Sequence, residues 1–231
     1  MSLPHQPRPS HSVDLLAGAA VFAGFAAAAY VWRYGPAGPL PMHLDFHGRV
    51  NGWGDRTTIA KMLGGLTIGF ALIYAALGWL TLGPGADGAA RRGLRTTKVL
   101  LVFLETTIIV VTLGMAYGAA SAPALGGGRL MSALLASIFL GVGALIGKAG
   151  PNPFVGVRTY WTFRSRLAWD KANRLIGRLL FWVGLLGVPS SVFLDPAIVT
   201  PALIVSVLLA AVVSVFESWR VWRADPERQM R

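Results

Sequence analysis

The amino-acid sequence predicts an all-α polytopic membrane protein with six transmembrane helices and both termini in the cytoplasm. Hydrophobic residues make up 54% of the 231 residues and charged residues only 13%, whereas soluble domains carry about 25% charged residues. The apolar residues fall into six runs, and a helix needs about 20 apolar residues to cross a bilayer core. The Lys and Arg residues lie mostly between these runs and are unevenly distributed, which predicts the orientation.

Six apolar stretches are long enough to span a bilayer or come close to that length. They are Leu15–Trp32, Met62–Leu82, Val99–Tyr117, Leu130–Gly147, Leu179–Leu194 and Ile198–Phe216. The fifth is short, and we expect it to extend back through Leu175 and Ile176, with Arg178 reaching towards the headgroups. Asp195 and Pro196 predict a tight turn before the sixth span.

The spans suggest four regions. These are a cytoplasmic N-terminal segment (residues 1–14), an N-terminal module (15–82) with an extracytoplasmic loop (33–61), a second module (99–216) with a cytoplasmic loop (148–178), and a basic cytoplasmic tail (217–231). Pairs of small residues spaced by four lie within the spans, and such pairs allow helix backbones to approach closely. The pairs are Ala20 with Gly24, Gly65 with Gly69, and Gly143 with Gly147. They predict packing inside one bundle rather than a dimer motif.

The orientation follows from the 21 Lys and Arg residues, because cytoplasmic loops are enriched in them. Sixteen lie on one side: Arg8, Arg91, Arg92, Arg95, Lys98, seven from Lys148 to Arg178, and Arg220, Arg223, Arg228 and Arg231. Five lie on the other: Arg33, Arg49, Arg56, Lys61 and Arg129. The bias places loop 33–61 outside and loop 148–178 in the cytoplasm.

The net charge of +11 could indicate a nucleic-acid partner. Its placement in short loops between apolar spans instead favours anionic lipid headgroups and control of topology. We therefore expect the lipid bilayer, and no nucleic acid, as a partner. The absence of cysteine excludes disulfides and thiolate chemistry.

The extracytoplasmic loop carries His43, Asp45 and His47 at alternating positions. In an extended segment these side chains would project from one face, and imidazole and carboxylate groups are ligands for zinc. The favoured interpretation is a loop whose His and Asp side chains bond its own backbone, so no metal and no cofactor is predicted. Trp53 is typical of a residue that anchors a loop at the membrane interface, and Gly48 is expected in a turn.

The basic segment, residues 148–178, is the longest polar interruption of the chain. Pro151 and Pro153 should end the fourth span, and Thr162 or Ser165 could cap a helix that continues to Arg178. The helix is amphipathic, which favours a position along the headgroup layer. The alternative is a docking surface for a cytoplasmic partner or a lipid, formed by Arg158, Trp161 and Trp169.

Glu105 lies within the third span, about 10 Å from Lys98 at the helical rise. A carboxylate at this depth should be neutralised, paired or hydrated. Lys148, at the cytoplasmic end of the fourth span, is a candidate partner. A structural pair is favoured over a proton or ligand site.

The basic segment resembles the signature of the SdpI family of bacterial membrane proteins, named for immunity to a sporulation-delaying toxin. The matching residues are Asn152, Gly156, Arg158, Thr159, Trp161, Thr162, Trp169, Asn173, Arg174 and Gly177. The loop PMHLDFHGRVNGW is similar to the N-terminal module often fused to that family, through Pro41, His43, Asp45, Gly48 and Trp53. Family members commonly carry acidic residues before the second Trp, where this chain has Arg166, Leu167 and Ala168.

The resemblance implies a protein of the bacterial inner membrane that protects its host from a membrane-active peptide toxin. It also implies a cytoplasmic regulator as a partner, since the best-known member retains a transcriptional repressor at the membrane. A small transporter or channel is the alternative, disfavoured because the chain has no internal repeat. A membrane enzyme is disfavoured further. His43, Asp45 and His47 are the only dense group of candidate catalytic side chains, and they lie on one loop with no Cys and no obvious Ser nucleophile beside them.

Overall fold

A computed structural model of the chain describes residues 11–45, 49–82, 88–121, 127–152 and 155–228. Within these residues the predicted all-α membrane architecture is confirmed, because six helices are long and apolar enough to cross a bilayer. The elements are α1 (His11–Tyr34), β1 (Leu40–Leu44), β2 (Val50–Gly54), α2 (Arg56–Leu82), α3 (Gly88–Ser121), α4 (Gly127–Ile146), α5 (Tyr160–Arg164), α6 (Arg166–Phe193) and α7 (Pro196–Ala224).

Helices α6 and α7 begin where polar side chains cap them. Ser165 caps α6 by accepting a hydrogen bond from the backbone N–H of Ala168 at 2.9 Å. The fifth span therefore extends back through Leu175 and Ile176, as predicted. Asp195 caps α7 by accepting from Ala197 N–H at 2.8 Å, and Pro196 occupies the first helical turn.

The first three spanning helices share an apolar core with a β-hairpin. Strands β1 and β2 pair antiparallel, with Leu40 opposite Gly54 and Leu44 opposite Val50. Leu40 is 2% exposed. It lies in one buried cluster with side chains of all three helices: Ala27, Ala28, Val31, Ile59, Ala60, Leu63, Ile109 and Ala116. The hairpin is thus held against the ends of α1, α2 and α3.

Helices α4 and α6 approach closely because glycines face each other across their contact. A Cβ added to Gly184 would lie 2.3 Å from the backbone nitrogen of Leu140, and one on Gly143 would lie 2.3 Å from that of Phe181. The predicted close packing at Gly143 and Gly147 is confirmed. Gly65 and Gly69 have nothing within 4 Å of an added Cβ, so close packing through that pair is not observed.

The loops lie at two opposite ends of the helices. The hairpin packs beside the C-terminal part of α3. At the other end the basic segment contacts the start of α3, through Gly93 and Asn152, and the last turns of α7. Large apolar side chains such as Phe193, 80% exposed, cover the outer helix faces, as expected for contact with lipid.

Candidate functional site

The signature residues of the basic segment build a folded cap over the ends of α4, α6 and α7. Asn152 is buried and holds a turn, accepting from the backbone N–H of Val155 at 2.8 Å. Its side-chain amide donates to the carbonyl oxygens of Gly150 and Val155 at 2.9 and 3.1 Å. The turn lies against α3, where a Cβ on Gly93 would be 3.0 Å from the Asn152 Cβ.

Gly156 and Asn173 form the centre of this cap. The backbone of Gly156 has a φ of +128°, a conformation that side-chain-bearing residues rarely adopt. A Cβ there would also lie 2.5 Å from Asn173 Oδ1. Asn173 Oδ1 accepts from Val157 N–H at 2.8 Å, and its amide donates to the Trp169 carbonyl oxygen at 2.9 Å. One buried amide therefore ties the loop to α6.

Trp169 is fully buried. Its indole N–H donates to the carbonyl oxygen of Ala149 at 2.9 Å, and its ring lies 6.1 Å from that of Phe163. The alternative interpretation, in which Trp169 contributes to an exposed docking surface, is therefore wrong. The predicted membrane-lying helix is also not observed, since residues from Arg166 onward are the first turns of the spanning helix α6.

Thr159 and Thr162 form a capping box around the short helix α5. The Thr162 N–H donates to Thr159 Oγ1 at 3.2 Å, and the Thr159 N–H donates to Thr162 Oγ1 at 2.9 Å. The Thr159 hydroxyl also lies 3.1 Å from the hydroxyl of Ser218 on α7. The alternative cap predicted from the sequence, Thr162, thus belongs to α5, whereas Ser165 serves α6.

Two buried residues of this site lie outside the signature. Asp225 follows the last turn of α7 and is 5% exposed. Its carboxylate accepts a hydrogen bond from the hydroxyl of Ser165, so it binds the residue that caps α6. Ser218 is likewise buried. Neither residue was identified from the sequence, although Asp225, the aspartate between the last span and Pro226, could have been recognised there as a candidate.

The signature residues left on the surface are cationic. Arg158 and Arg174 are exposed, and Trp161 is half-buried. The Arg158 guanidinium lies 5.8 Å from the centre of the Phe163 ring, and Arg164 stacks 3.9 Å from Tyr160. Asp170, one turn further along α6 than Arg166, lies 3.8 Å from that residue. The remaining signature residue, Gly177, is buried where α6 meets Gly143 and Gly147 of α4.

At the opposite end the hairpin is organised by its own polar side chains. Asp45 accepts from the Arg49 N–H at 2.9 Å, and the His43 ring nitrogen Nδ1 lies 2.5 Å from Asn51 Oδ1. Among the described residues no group of three metal-ligating side chains occurs. His47 and Gly48 lie outside the described residues, so the three-residue metal hypothesis stays untested. Pro41 is buried, and Trp53 is 60% exposed.

Asp55 caps the start of α2 beside the hairpin. Its carboxylate accepts from the Thr58 hydroxyl at 2.6 Å and from the Thr58 N–H at 2.7 Å. These bonds, the hydroxyl bond first, lower the pKa of Asp55 below its ordinary value, and the charge of Lys61 contributes a smaller decrease.

Glu105 is buried between the first three spanning helices, 4% exposed. Thr67 of α2 donates to Glu105 Oε1 at 2.8 Å. Gly24 of α1 provides the space, because a Cβ there would lie 2.2 Å from Thr67 Oγ1 and 3.1 Å from Glu105 Oε1. The prediction that Lys148 is the partner is wrong. Lys148 is exposed at the end of α4.

A second polar contact joins the same helices two turns nearer the basic segment. Lys98 of α3 forms an ion pair with Asp14 of α1 at 3.1 Å. Tyr74 of α2 donates to the same carboxylate at 2.7 Å, and its ring lies 4.6 Å from the Lys98 ammonium. Asp14, Tyr74 and Lys98 therefore connect three helices at one level, and Gly24, Thr67 and Glu105 connect them at the next.

Comparison with protein families matches residues 148–218 to the SdpI/YfhL protein family. The match begins at Lys148 and covers the cap, α5, α6 and most of α7. Comparison with curated proteins and with solved structures gives no match.

Proposed function

We propose that this chain, whose residues 148–218 match the SdpI/YfhL protein family, is an immunity and signal-transduction protein of the bacterial inner membrane. It protects the cell from a membrane-active peptide toxin and transmits the presence of that toxin to a cytoplasmic regulator. The observation that carries the proposal is the family match itself, which covers the hydrogen-bonded cap.

The folded cap supports a role in output. Most signature residues are used to hold the backbone: Asn152, Gly156, Thr159, Thr162, Trp169, Asn173 and Gly177. This rigid frame presents Arg158 and Arg174 to solvent. Because a fixed backbone lowers the entropy cost of binding, the two arginines and the half-buried Trp161 suit an acidic surface on a cytoplasmic protein.

The hairpin supports a role in recognition. It lies at the end of the helices opposite the cap, so the peptide and the regulator would meet different surfaces. Its exposed side chains include His43, Arg49 and Trp53, which offer an imidazole, a cation and an aromatic ring. Tyrosine, tryptophan and arginine are the residues most enriched where proteins bind peptides and proteins tightly.

A killing assay tests the proposal. The chain is expressed in a sensitive bacterium, and the lowest lethal concentration is measured for a panel of membrane-active peptides. Protection predicts a higher lethal concentration for at least one peptide than in cells with the empty vector. Equal killing across the whole panel, with the protein shown to be in the membrane, would refute immunity.

A small transporter is the second candidate, favoured by one observation. The two polar contacts between α1, α2 and α3 place Asp14, Tyr74, Lys98, Thr67 and Glu105 at successive levels of one three-helix contact. Ion or proton flux into liposomes that contain the purified protein would support this function. Liposomes that remain as tight as protein-free ones would exclude it.

A further inference from the structure

A groove of about 450 Å³ runs between α1 and α2 at the hairpin end. Phe25, Ala28, Ala29 and Trp32 line it on α1, spaced so that they share one helix face. Thr57, Ala60 and Lys61 line it on α2. The volume lies within the range of about 300–1,000 Å³ that small-molecule sites occupy.

Apolar side chains line most of the groove, and the exposure of Phe25 and Trp32 indicates that it opens on the outer surface of the helices, the side that lipid would cover. Its floor contains the buried Ala28 and Ala60, and the exposed Ala29 lies at its edge; these three short side chains leave space between the two helices. Phe25 and Trp32 flank that floor and are 43% and 64% exposed. A flexible hydrocarbon chain matches such a narrow, apolar and bilayer-facing channel better than a polar solute does.

The polar groups of the groove are confined to the first turns of α2. Lys61 lies five residues beyond the start of α2, about 7–8 Å along the helix, and Thr57 lies one turn above it. Arg56, at the first position of α2, and Arg33, in the last turn of α1, add two further cations at this end. Asp55 directly precedes α2, and its Oδ1 accepts hydrogen bonds from the N–H and the hydroxyl of Thr58.

We propose that this groove binds a phospholipid, with one acyl chain between α1 and α2 and the phosphate held by Lys61 and Thr57. The charge selects this occupant, since Lys61 lines the groove and Arg33 and Arg56 lie at the same end of the two helices, which favours an anionic group at headgroup depth. Lys61 donates to the phosphate as a point charge, and Thr57 donates through its hydroxyl. The bound lipid fills the space that the three alanines leave and supports the hairpin above it.

Photo-crosslinking tests the site in the full-length protein. The chain is reconstituted in vesicles of phosphatidylcholine and phosphatidylglycerol that contain a small amount of phosphatidylglycerol with a diazirine in one acyl chain. Crosslinked residues are then mapped by mass spectrometry. Crosslinks concentrated in residues 25–32 and 57–61 are expected. Equal labelling of all exposed apolar faces would overturn the proposal.

Two matched pairs of variants separate a built site from general lipid contact. Ala29→Phe fills the groove and should abolish most of this labelling, whereas Ala26→Phe, at an exposed alanine of the same helix outside the groove, should leave it unchanged. Lys61→Gln should reduce the preference for phosphatidylglycerol over phosphatidylcholine about fivefold, the effect of one cation near an anionic surface. Arg49→Gln, on the hairpin, should leave the preference for phosphatidylglycerol unchanged.

Other occupants of the groove give different results. If a second copy of the chain filled it, the diazirine would label other faces, and Ala29→Phe would change the oligomeric state instead. If Ala29→Phe and Ala26→Phe lost labelling equally, the groove would have no part in lipid binding. Either result would contradict the proposal, and neither depends on whether the protein confers immunity.

Discussion

At the scale of single residues, the signature is mainly a set of conformational requirements. Gly156 is needed for its positive φ, and Asn173 fills the space beside it with an amide that bonds both Val157 and Trp169. The same motif leaves Arg158 and Arg174 exposed. A residue of the motif can therefore matter for folding or for binding, and the two groups are distinguishable by substitution.

Gly156→Ala should destabilise the protein by about 1–3 kcal/mol, because alanine is strained at this φ and its Cβ would collide with Asn173. The midpoint of chemical unfolding in detergent measures the change. Gly64→Ala is the matched control, since it is helical with nothing within 4 Å of the added Cβ. If Gly156→Ala destabilised the protein no more than Gly64→Ala does, the account of this turn would be contradicted.

Glu105→Gln should unfold like the natural protein, because glutamine keeps an oxygen that accepts from Thr67. Glu105→Ala leaves the buried Thr67 hydroxyl without this acceptor and should cost about 1–3 kcal/mol. The two variants are compared by the same unfolding measurement and by protection from the peptide. Loss of protection in a stable Glu105→Gln protein would show that the carboxylate has a functional role beyond structure.

At the scale of elements, helix contact depends on glycine at the interface of α4 and α6. Gly177 and Gly184 of α6 face Gly143, Gly147 and Leu140 of α4, with backbone atoms close to where a Cβ would stand. In a bilayer such close packing replaces the hydrophobic effect as the source of helix association. Close packing of α6 against α4 therefore explains why the signature has a glycine at position 177.

Gly184→Ala should therefore destabilise the bundle by about 1–3 kcal/mol, the usual cost of forcing extra volume into a packed contact. Thermal aggregation of the purified protein provides the measurement. Gly114→Ala on α3, where nothing lies within 4 Å, should be tolerated. Similar melting of both variants would mean that the close contact is not essential.

The elements were largely predictable from local sequence, and the contacts between them were not. Apolar runs, a candidate cap at Thr162 or Ser165, and the turn at Asp195 and Pro196 predicted the spans, because each depends on a few neighbouring residues. The burial of Trp169 depends on Ala149, and the partner of Glu105 is Thr67, 38 residues away. Periodicity places Trp169 on an apolar helix face but does not tell whether lipid or protein covers that face.

At the scale of the whole molecule, the hairpin and the cap lie at opposite ends of six membrane-spanning helices. The charge bias predicts that the end with the cap, where 16 of the 21 Lys and Arg residues lie, faces the cytoplasm. The proposed recognition of a peptide outside and the proposed signal inside both depend on that orientation. The central claim is therefore that the two ends lie on different sides of the membrane, with the hairpin outside.

Cysteine labelling tests that claim directly, because the chain contains no cysteine of its own. Arg49→Cys on the hairpin and Lys171→Cys in the basic segment, both exposed, are treated in intact spheroplasts with a thiol reagent that does not cross membranes. Arg49→Cys should be labelled at once, and Lys171→Cys only after the membrane is opened. Labelling of Lys171→Cys in intact spheroplasts, with Arg49→Cys protected, would reverse the orientation and contradict the account.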